Sequence, residues 1–371
     1  MNSLVYIVDM RNLILDHEST LKRHLKYADG LQLRTKSKVI LGVIQFKRQK
    51  VASLESQGNL QILSLPSNPL RMARSLRQMK SSDSFVNLLI AGDPWESAIG
   101  AYLLRILHFK SARIQIQIHG DIGNKTWIHQ RKTNLLRSFI ARITLRFANQ
   151  IRTVGIAQTN LLISKYRVPR TKCRIIPITS LYWTDSFTPS EVFSPLPAIG
   201  FVGRLQSDRG TAHFLELIGK LRRQNLFFSV IVAGEGPERE NFENKLKRLL
   251  PRENVAFLGN LKPEEMVEAW SQIKVLVSTA PTESFGRSIR EAIAWGIPVW
   301  AIPSSGVCDL QNEVPERYVR SLDISLSAEH QAEIFSELLL VEVPLGVRER
   351  VVNADKRAME DLVESWVELS S

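Results

Sequence analysis

Two carboxylates eight residues apart, Glu283 and Glu291, stand across a small turn in the stretch A-P-T-E-S-F-G-R-S-I-R-E-A-I-A-W-G-I-P (280–298). The residues before them, 274–278, form a short run of strand-forming side chains. The residues after them, 287–295, space their apolar side chains as a helix does. The segment therefore reads strand, loop, helix. Glu283 and Ser284 fall in the loop at the strand's carboxyl end, and Glu291 lies further down the helix. Backbone amides of Phe285, Gly286 and Arg287 sit at the helix start, where they have no intrahelical acceptor and can receive phosphate oxygens. A loop acid, a set of amides and a second acid suit a ligand in which sugar, diphosphate and ribose follow one another.

Other loops of the same half carry compatible groups. In F-V-G-R-L-Q-S-D-R-G (201–210) a glycine-flanked loop, beginning at Gly203, holds Arg204 and Arg209, two guanidinium groups that could meet a diphosphate. Two surface arginines in a turn are the plain alternative. In V-I-V-A-G-E-G-P (230–237) a buried strand ends in Gly234, Glu235 and Gly236, which let the backbone approach a flat ligand. Taken alone, that pattern is equally a turn. F-L-G-N (257–260) and S-S-G-V-C-D (304–309) place small residues after further strands, and each is weak singly.

The first half offers I-Q-I-Q-I-H-G-D (114–121), an alternating strand that ends in His119 and Asp121 where an α/β fold binds its ligands. An imidazole there could hydrogen-bond a sugar hydroxyl, with Asp121 orienting the ring or meeting an acceptor. A loop histidine without a ligand is the alternative. In A-G-D-P-W-E-S-A (91–98), Asp93 caps a helix or faces an acceptor, and Trp95 stacks on a sugar ring or packs in the core.

Composition limits the classes. The 371 residues are 44% hydrophobic and 23% charged, as in a globular protein of two ordinary domains. No apolar run reaches the roughly 18 residues of a membrane span. The first residues, M-N-S-L-V-Y-I-V-D-M, read as a buried strand rather than a leader. With Cys173 and Cys308 alone, neither a disulfide framework nor a cysteine metal site is expected, and the compartment expected is the cytoplasm. Residues 1–190 hold 29 Lys+Arg against 10 Asp+Glu, while the remainder holds 20 against 27. A basic half of this kind faces a polyanion such as anionic lipid headgroups, or is simply a solvated surface. The basic stretch 125–152, read as an amphipathic helix, suits a peripheral membrane contact or covers a sheet. A nucleic-acid-binding protein is disfavoured, because no recognised RNA-binding motif occurs and Glu283, Glu291, Arg204 and Arg209 would be left unexplained.

The elements that must position these groups alternate throughout. Strands are expected at 5–8, 39–44, 86–91, 113–118 and 174–178, then at 198–202, 227–233, 255–258, 274–278 and 299–302. Helices are expected between them, among them 96–108, 133–148, 210–224 and 263–271. That alternation predicts an α/β chain of two doubly wound, Rossmann-like domains facing across a central cleft. The first covers 1–181, a proline-bearing linker 182–197, the second 198–345, and a last helix in 346–371 packs back on the first domain with Trp366 as an anchor.

The block 201–309 resembles the donor-binding domain of the family-4 retaining glycosyltransferases, which have the GT-B fold. Its G-R-L, G-x-G, F-L-G, E-x-F-G and E-A-x-A-x-G-x-P-V segments occur here in order. The resemblance implies transfer from a nucleotide-diphosphate sugar to a cell-surface glycan or lipid-linked acceptor. By it, Glu283 contacts the donor sugar, Glu291 the ribose hydroxyls, and Arg204 and Arg209 the leaving diphosphate, with Arg209 where the family has lysine. His119 would contact the transferred sugar. No metal or cofactor is implied, since no Asp-x-Asp pair occurs and two guanidinium groups stand in for a divalent ion. The family's glycine turn after the first strand is absent from 9–19. A non-catalytic scaffold or glycan sensor of this fold, and a sugar-nucleotide epimerase, are the remaining alternatives.

Overall fold

Runs of Val, Ile and Leu too short for helices become buried parallel strands, and the stretches between them fold as covering helices. In the computed structural model, residues 3–16, 18–36, 38–68, 70–72, 74–75, 85–179 and 194–370 are described. The chain divides into two units, Met1–Pro177 with Arg357–Ser371, and Ile178–Lys356. Residues 182–193 of the expected linker lie outside the described residues.

The sheet of the first unit contains, among the described residues, β1 (Ser3–Asp9), β2 (Val39–Lys47), β3 (Ser53–Gln57), β4 (Leu60–Pro66), β5 (Phe85–Ala91), β6 (Arg113–Gln117), β7 (Gln150–Thr153) and β8 (Cys173–Ile175). Their spatial order is β3-β4-β2-β1-β5-β6-β7-β8, and every neighbouring pair is parallel except β3 with β4. The β3–β4 hairpin was not expected. Ser53–Gln57 offers a single large apolar side chain and is mostly exposed, so it has no hydrophobic signal, while Gly58 at φ 54° makes the tight turn. Although β6 alternates, Gln115 and Gln117 are both buried. The last helix meets Gln115, where Trp366 Nε1 donates to its Oε1 at 3.0 Å and the Trp366 ring stands edge-on to Tyr27 at 5.6 Å, while Gln117 donates to Gln115 and accepts from Arg152 at 3.1 Å.

The stretch 125–152 is not one helix. It breaks at Arg131, which is extended, into helices Lys125–Gln130 and Lys132–Phe147, and its end is β7.

The second unit holds β9 (Ala198–Val202), β10 (Ser229–Ala233), β11 (Val255–Gly259), β12 (Ile273–Ser278), β13 (Val299–Ala301) and β14 (Val319–Ser321). All pairs are parallel, in the order β11-β10-β9-β12-β13-β14. This is the doubly wound arrangement, whose direction of winding reverses between β9 and β12. Loops after those two strands diverge onto opposite faces and leave a crevice at the carboxyl edge. In the first unit the same reversal falls between β1 and β5. The last helix, Leu345–Ser370, falls where one was expected and belongs to both units in sequence.

Candidate functional site

The reversal point of the second unit brings the two charged loops together. After β9 the chain runs through Gly203 and Arg204 to a short 3-10 turn, Ser207–Arg209, and then Gly210 opens helix Thr211–Arg223. Gly210 has φ 71°, and a Cβ there would lie 1.9 Å from the Thr279 carbonyl oxygen. Only glycine lets this loop close onto the backbone that follows β12. The approach delivers Arg209 to Glu283, whose side chains pair Nη1 to Oε2 at 2.5 Å. Both are partly exposed, so the pair is reachable by a ligand. Arg204 is exposed and makes no ion pair among the described residues.

Glu283, Ser284 and Phe285 lead into helix Arg287–Ala294, with Gly286 in the left-handed region as its cap. Ser284 and Phe285 are buried. The amides were expected to be open at this helix start. The Gly286 N–H instead reaches Glu283 Oε1 at 3.4 Å, because the carboxylate folds back over its own turn. Glu291 is 8% exposed and accepts from Arg287 Nε at 3.0 Å. Burial raises its pKa above the ordinary carboxylate value; the Arg287 charge and hydrogen bond oppose that rise, and Asp355 adds to it.

The remaining second-unit residues frame this site. Gly203 N–H donates to the Ala233 carbonyl at 2.9 Å, and Gly234 N–H to that of Gly259 at 2.6 Å, so three strand ends are tied side by side. A Cβ on Gly236 would lie 2.3 Å from the Leu205 carbonyl oxygen, which packs the 230–237 turn against the arginine loop. Glu235 is exposed and paired with Arg239 at 2.6 Å; Arg239 also lies over the Phe257 ring. The 304–309 segment starts helix Ser305–Glu313, and Gly306 N–H donates to the Glu283 carbonyl at 2.7 Å.

Sequence reasoning missed Arg290 as a support. Its side chain is 6% exposed and forks onto Glu313 at 2.6 and 2.7 Å, while Nε donates to the Phe285 carbonyl at 3.2 Å. It therefore holds the Glu283–Gly286 turn to the next helix. Replacing it by leucine is expected to lower stability by about 2 kcal/mol, the scale of hydrogen bonds to a charged group, and Arg290→Lys to recover part of this. Denaturant unfolding of both variants reads the difference.

In the first unit, His119 and Asp121 follow β6. Gln158 donates to the Gly120 carbonyl at 3.1 Å and Tyr166 to that of Ile122 at 2.7 Å, so the turn is braced from behind. Asp121 is buried and His119 is exposed. Desolvation by the surrounding protein lowers the His119 pKa to about 3, and the charges of Arg152, Arg23, Arg11 and His24 act in the same direction. At neutral pH the imidazole is therefore uncharged. Arg152, another residue the sequence did not single out, is buried on β7. It donates to the Ile176 and Pro177 carbonyls and to Gln117 Oε1 at 3.0, 2.6 and 3.1 Å.

Asp93 accepts from Trp95 N–H and Ser97 N–H at 3.0 and 3.1 Å and from Ser97 Oγ at 2.6 Å, and it faces Arg11 at 3.4 Å. It caps helix Glu96–Leu107 and ties the loops after β5 and β1 together. Trp95 is not open for a sugar ring: it is buried, stacked on Trp127 at 5.7 Å, and covered by Arg137 at 5.2 Å. The glycine missing from the first loop is replaced by Asn12, at φ 55°. Its side chain exchanges two hydrogen bonds with the Phe46 backbone, acting as a short extra strand.

Two doubly wound parallel sheets of this kind, the second with its charged loops at the reversal point, are the two halves of the GT-B fold. Anabaena HepE, solved in complex with UDP and glucose, superposes with a TM-score of 0.67 over 98% of this chain and 99% of that one, at 15% identity. Sucrose-phosphate synthase from Thermosynechococcus elongatus gives 0.72 over 100% and 99%, at 17% identity. Residues 186–323 match the family Glycosyl transferases group 1. Among curated relatives, the 2-deoxystreptamine glucosyltransferase of Streptomyces kanamyceticus is 30% identical over 118 residues, 32% of this chain and 30% of that protein. The GDP-mannose-dependent alpha-mannosyltransferase of Corynebacterium glutamicum is 31% identical over 115 residues, 31% and 25% of the two chains. The chain thus spans under a third of the length of these relatives.

Proposed function

We propose that the protein is a retaining, metal-independent glycosyltransferase that moves a sugar from a nucleotide-diphosphate sugar to a glycan or lipid-linked acceptor. The observation that carries the reading is the meeting of Arg209 with Glu283 at the reversal point, beside Arg204, a helix start and Glu291. Glucosyl- and mannosyltransferases among the relatives, and the UDP and glucose held by HepE, support a nucleotide-sugar donor.

In this reading Glu291 accepts hydrogen bonds from the ribose hydroxyls, and amides at the start of helix Arg287–Ala294 receive the distal phosphate. The diphosphate draws Arg209 away from Glu283. One ion pair is exchanged for another, and the carboxylate is released to the sugar hydroxyls. The bond from the anomeric carbon to the diphosphate oxygen breaks while Arg204 and Arg209 stabilise the charge that gathers on that oxygen. The acceptor oxygen bonds to the same face of the anomeric carbon, and its proton passes to the departing diphosphate. His119, uncharged, hydrogen-bonds the transferred sugar, with Asp121 on the acceptor side. The reaction takes place in the cytoplasm, with peripheral contact to the inner face of the plasma membrane through the basic first half.

The raised pKa of Glu291 has a consequence with a definite sign. Its protonation starts at a higher pH than that of an ordinary glutamate, so acceptance from the ribose weakens earlier on acidification. Nucleotide affinity is expected to fall as pH drops toward the carboxylate range, and Glu291→Gln to be weaker but flat over the same window. Calorimetric titrations at several pH values read this.

The transferase reading is tested by incubating the protein with a panel of nucleotide sugars and lipid-linked oligosaccharide extract. Release of nucleoside diphosphate with a sugar joined to acceptor, its anomeric configuration retained by NMR, is expected. Binding of the diphosphate with no turnover of any donor would favour the non-catalytic scaffold, and altered free sugar nucleotide without transfer would favour an epimerase.

A further inference from the structure

Helix Lys132–Phe147 is amphipathic in the wrong direction for a helix that merely covers a sheet. Its buried face carries Asn134, Ala141, Thr144 and Leu145. Its outer face carries Leu136, Phe139, Ile143 and Phe147, which are 48% to 64% exposed. Helix Glu96–Leu107 repeats the pattern, with Ser97, Ala98, Gly100 and Ala101 inside and Ile99, Leu103, Ile106 and Leu107 outside. The two helices are fastened side by side. Tyr102 Oη donates to the Thr144 carbonyl at 2.7 Å, Thr144 Oγ1 to the Pro94 carbonyl at 2.6 Å, and Arg137 pairs with Glu96 at 2.7 Å. Between them runs an apolar groove lined by Ile99, Leu103, Ile106, Ile143 and Phe147. Single exposed apolar residues are ordinary on a protein surface, but a contiguous patch of them is not.

The charges around this patch choose its occupant. Helix Lys132–Phe147 contains Lys132, Arg137, Arg142 and Arg146 and no acid. From residue 97 to residue 184 the sequence has 15 Lys+Arg, and Asp121 is its one acid. Arg142 and Arg146 flank the apolar stripe and are exposed, so their aliphatic stems can lie along it with the guanidinium groups at its edge. A second copy of this chain would bring the same cations against each other. An anionic bilayer surface offers what both parts of the patch require: hydrocarbon for the Phe and Leu side chains and phosphate for the rim.

We infer that the outer faces of helices Glu96–Leu107 and Lys132–Phe147 form a membrane-docking surface that inserts Leu136, Phe139, Ile143 and Phe147 into an anionic leaflet. The inference rests on the transferase reading for its purpose, presentation of a lipid-linked acceptor, but its test reads binding alone. None of the inserting residues belongs to the candidate site, so donor binding is expected to be the same in every variant below.

Vesicle flotation of the full chain decides the matter. The wild type is expected to float with vesicles of phosphatidylcholine containing about a third phosphatidylglycerol, and less with phosphatidylcholine alone or at high salt. Phe139→Ser/Phe147→Ser and, separately, Arg142→Glu/Arg146→Glu are each expected to weaken flotation by about tenfold or more. Their melting temperatures should stay near the wild type's, since the altered side chains are exposed. Phe139→Trp fluorescence is expected to shift to the blue on adding anionic vesicles. Absence of flotation would overturn the inference, as would equal flotation of the Phe139→Ser/Phe147→Ser protein or an unshifted tryptophan. A wild type that forms a dimer disrupted by Phe139→Ser, without binding vesicles, would assign the face to self-association and overturn it too. If flotation is as expected while no donor is turned over, the transferase reading fails and the surface stands.

Discussion

Arg209→Ala is expected to lower kcat by about a hundredfold to a thousandfold, the scale seen when one preorganised donor to a developing negative charge is removed. The variant loses the group proposed to meet the leaving diphosphate and leaves Glu283 without the cation it pairs with at 2.5 Å. Arg209→Lys is expected to fall between the two, because an ammonium keeps the charge but cannot present a planar fork. Steady-state kinetics with a fixed donor separate the two consequences. A lost transition-state contact lowers kcat, whereas a lost contact to the bound donor raises KM alone. Glu283→Gln adds a control. If the pair served only to hold the fold, Arg209→Ala and Glu283→Gln would lower stability together and leave the activity of the folded fraction unchanged.

The second large effect is on stability. Trp366→Ala is expected to cost about 3 to 5 kcal/mol, the usual range for removing a large aromatic side chain from a packed interior. Trp366 is 1% exposed, sits edge-on to Tyr27 and donates to Gln115, so the change leaves a cavity and takes from the Gln115 amide oxygen the closer of its two donors, leaving Gln117 Nε2 at 3.3 Å. Trp366→Phe restores most of the volume but not the donor and should lie between. Urea unfolding, read by circular dichroism, measures both.

The parts of the candidate site that could be read from sequence were those whose chemistry and backbone geometry coincide. A parallel strand followed by glycine and charge is a local pattern, and the loops after β9 and β12 both have it. Which loop meets which depends on strand order, which no local pattern encodes; the Arg209–Glu283 pair exists because β9 and β12 are neighbours in space though far apart in sequence. Arg290 shows the same limit. Its partner Glu313 is 23 residues away on another helix, so its burial could not be inferred from its own helix. The burial of Gln115 and Gln117 on β6 was not legible for a related reason: a helix from the far end of the chain supplies the hydrogen bonds of Gln115, and Arg152 on the next strand meets Gln117. Asn12 shows that a required left-handed turn need not be glycine when an amide side chain can bond to the next strand.

The most direct test of the central claim is a thermal-shift comparison of wild type and Glu291→Ala with UDP, GDP, ADP, CMP and dTDP, with and without Mg²⁺. One nucleoside diphosphate is expected to stabilise the wild type irrespective of Mg²⁺, by about 2.7 kcal/mol at a hundredfold excess over its Kd. Most of that shift should be absent in Glu291→Ala, whose fold is otherwise intact. A folded wild type that none of these nucleotides stabilises, or a shift that Glu291→Ala retains in full, would contradict the assignment of this site to a nucleotide-sugar donor.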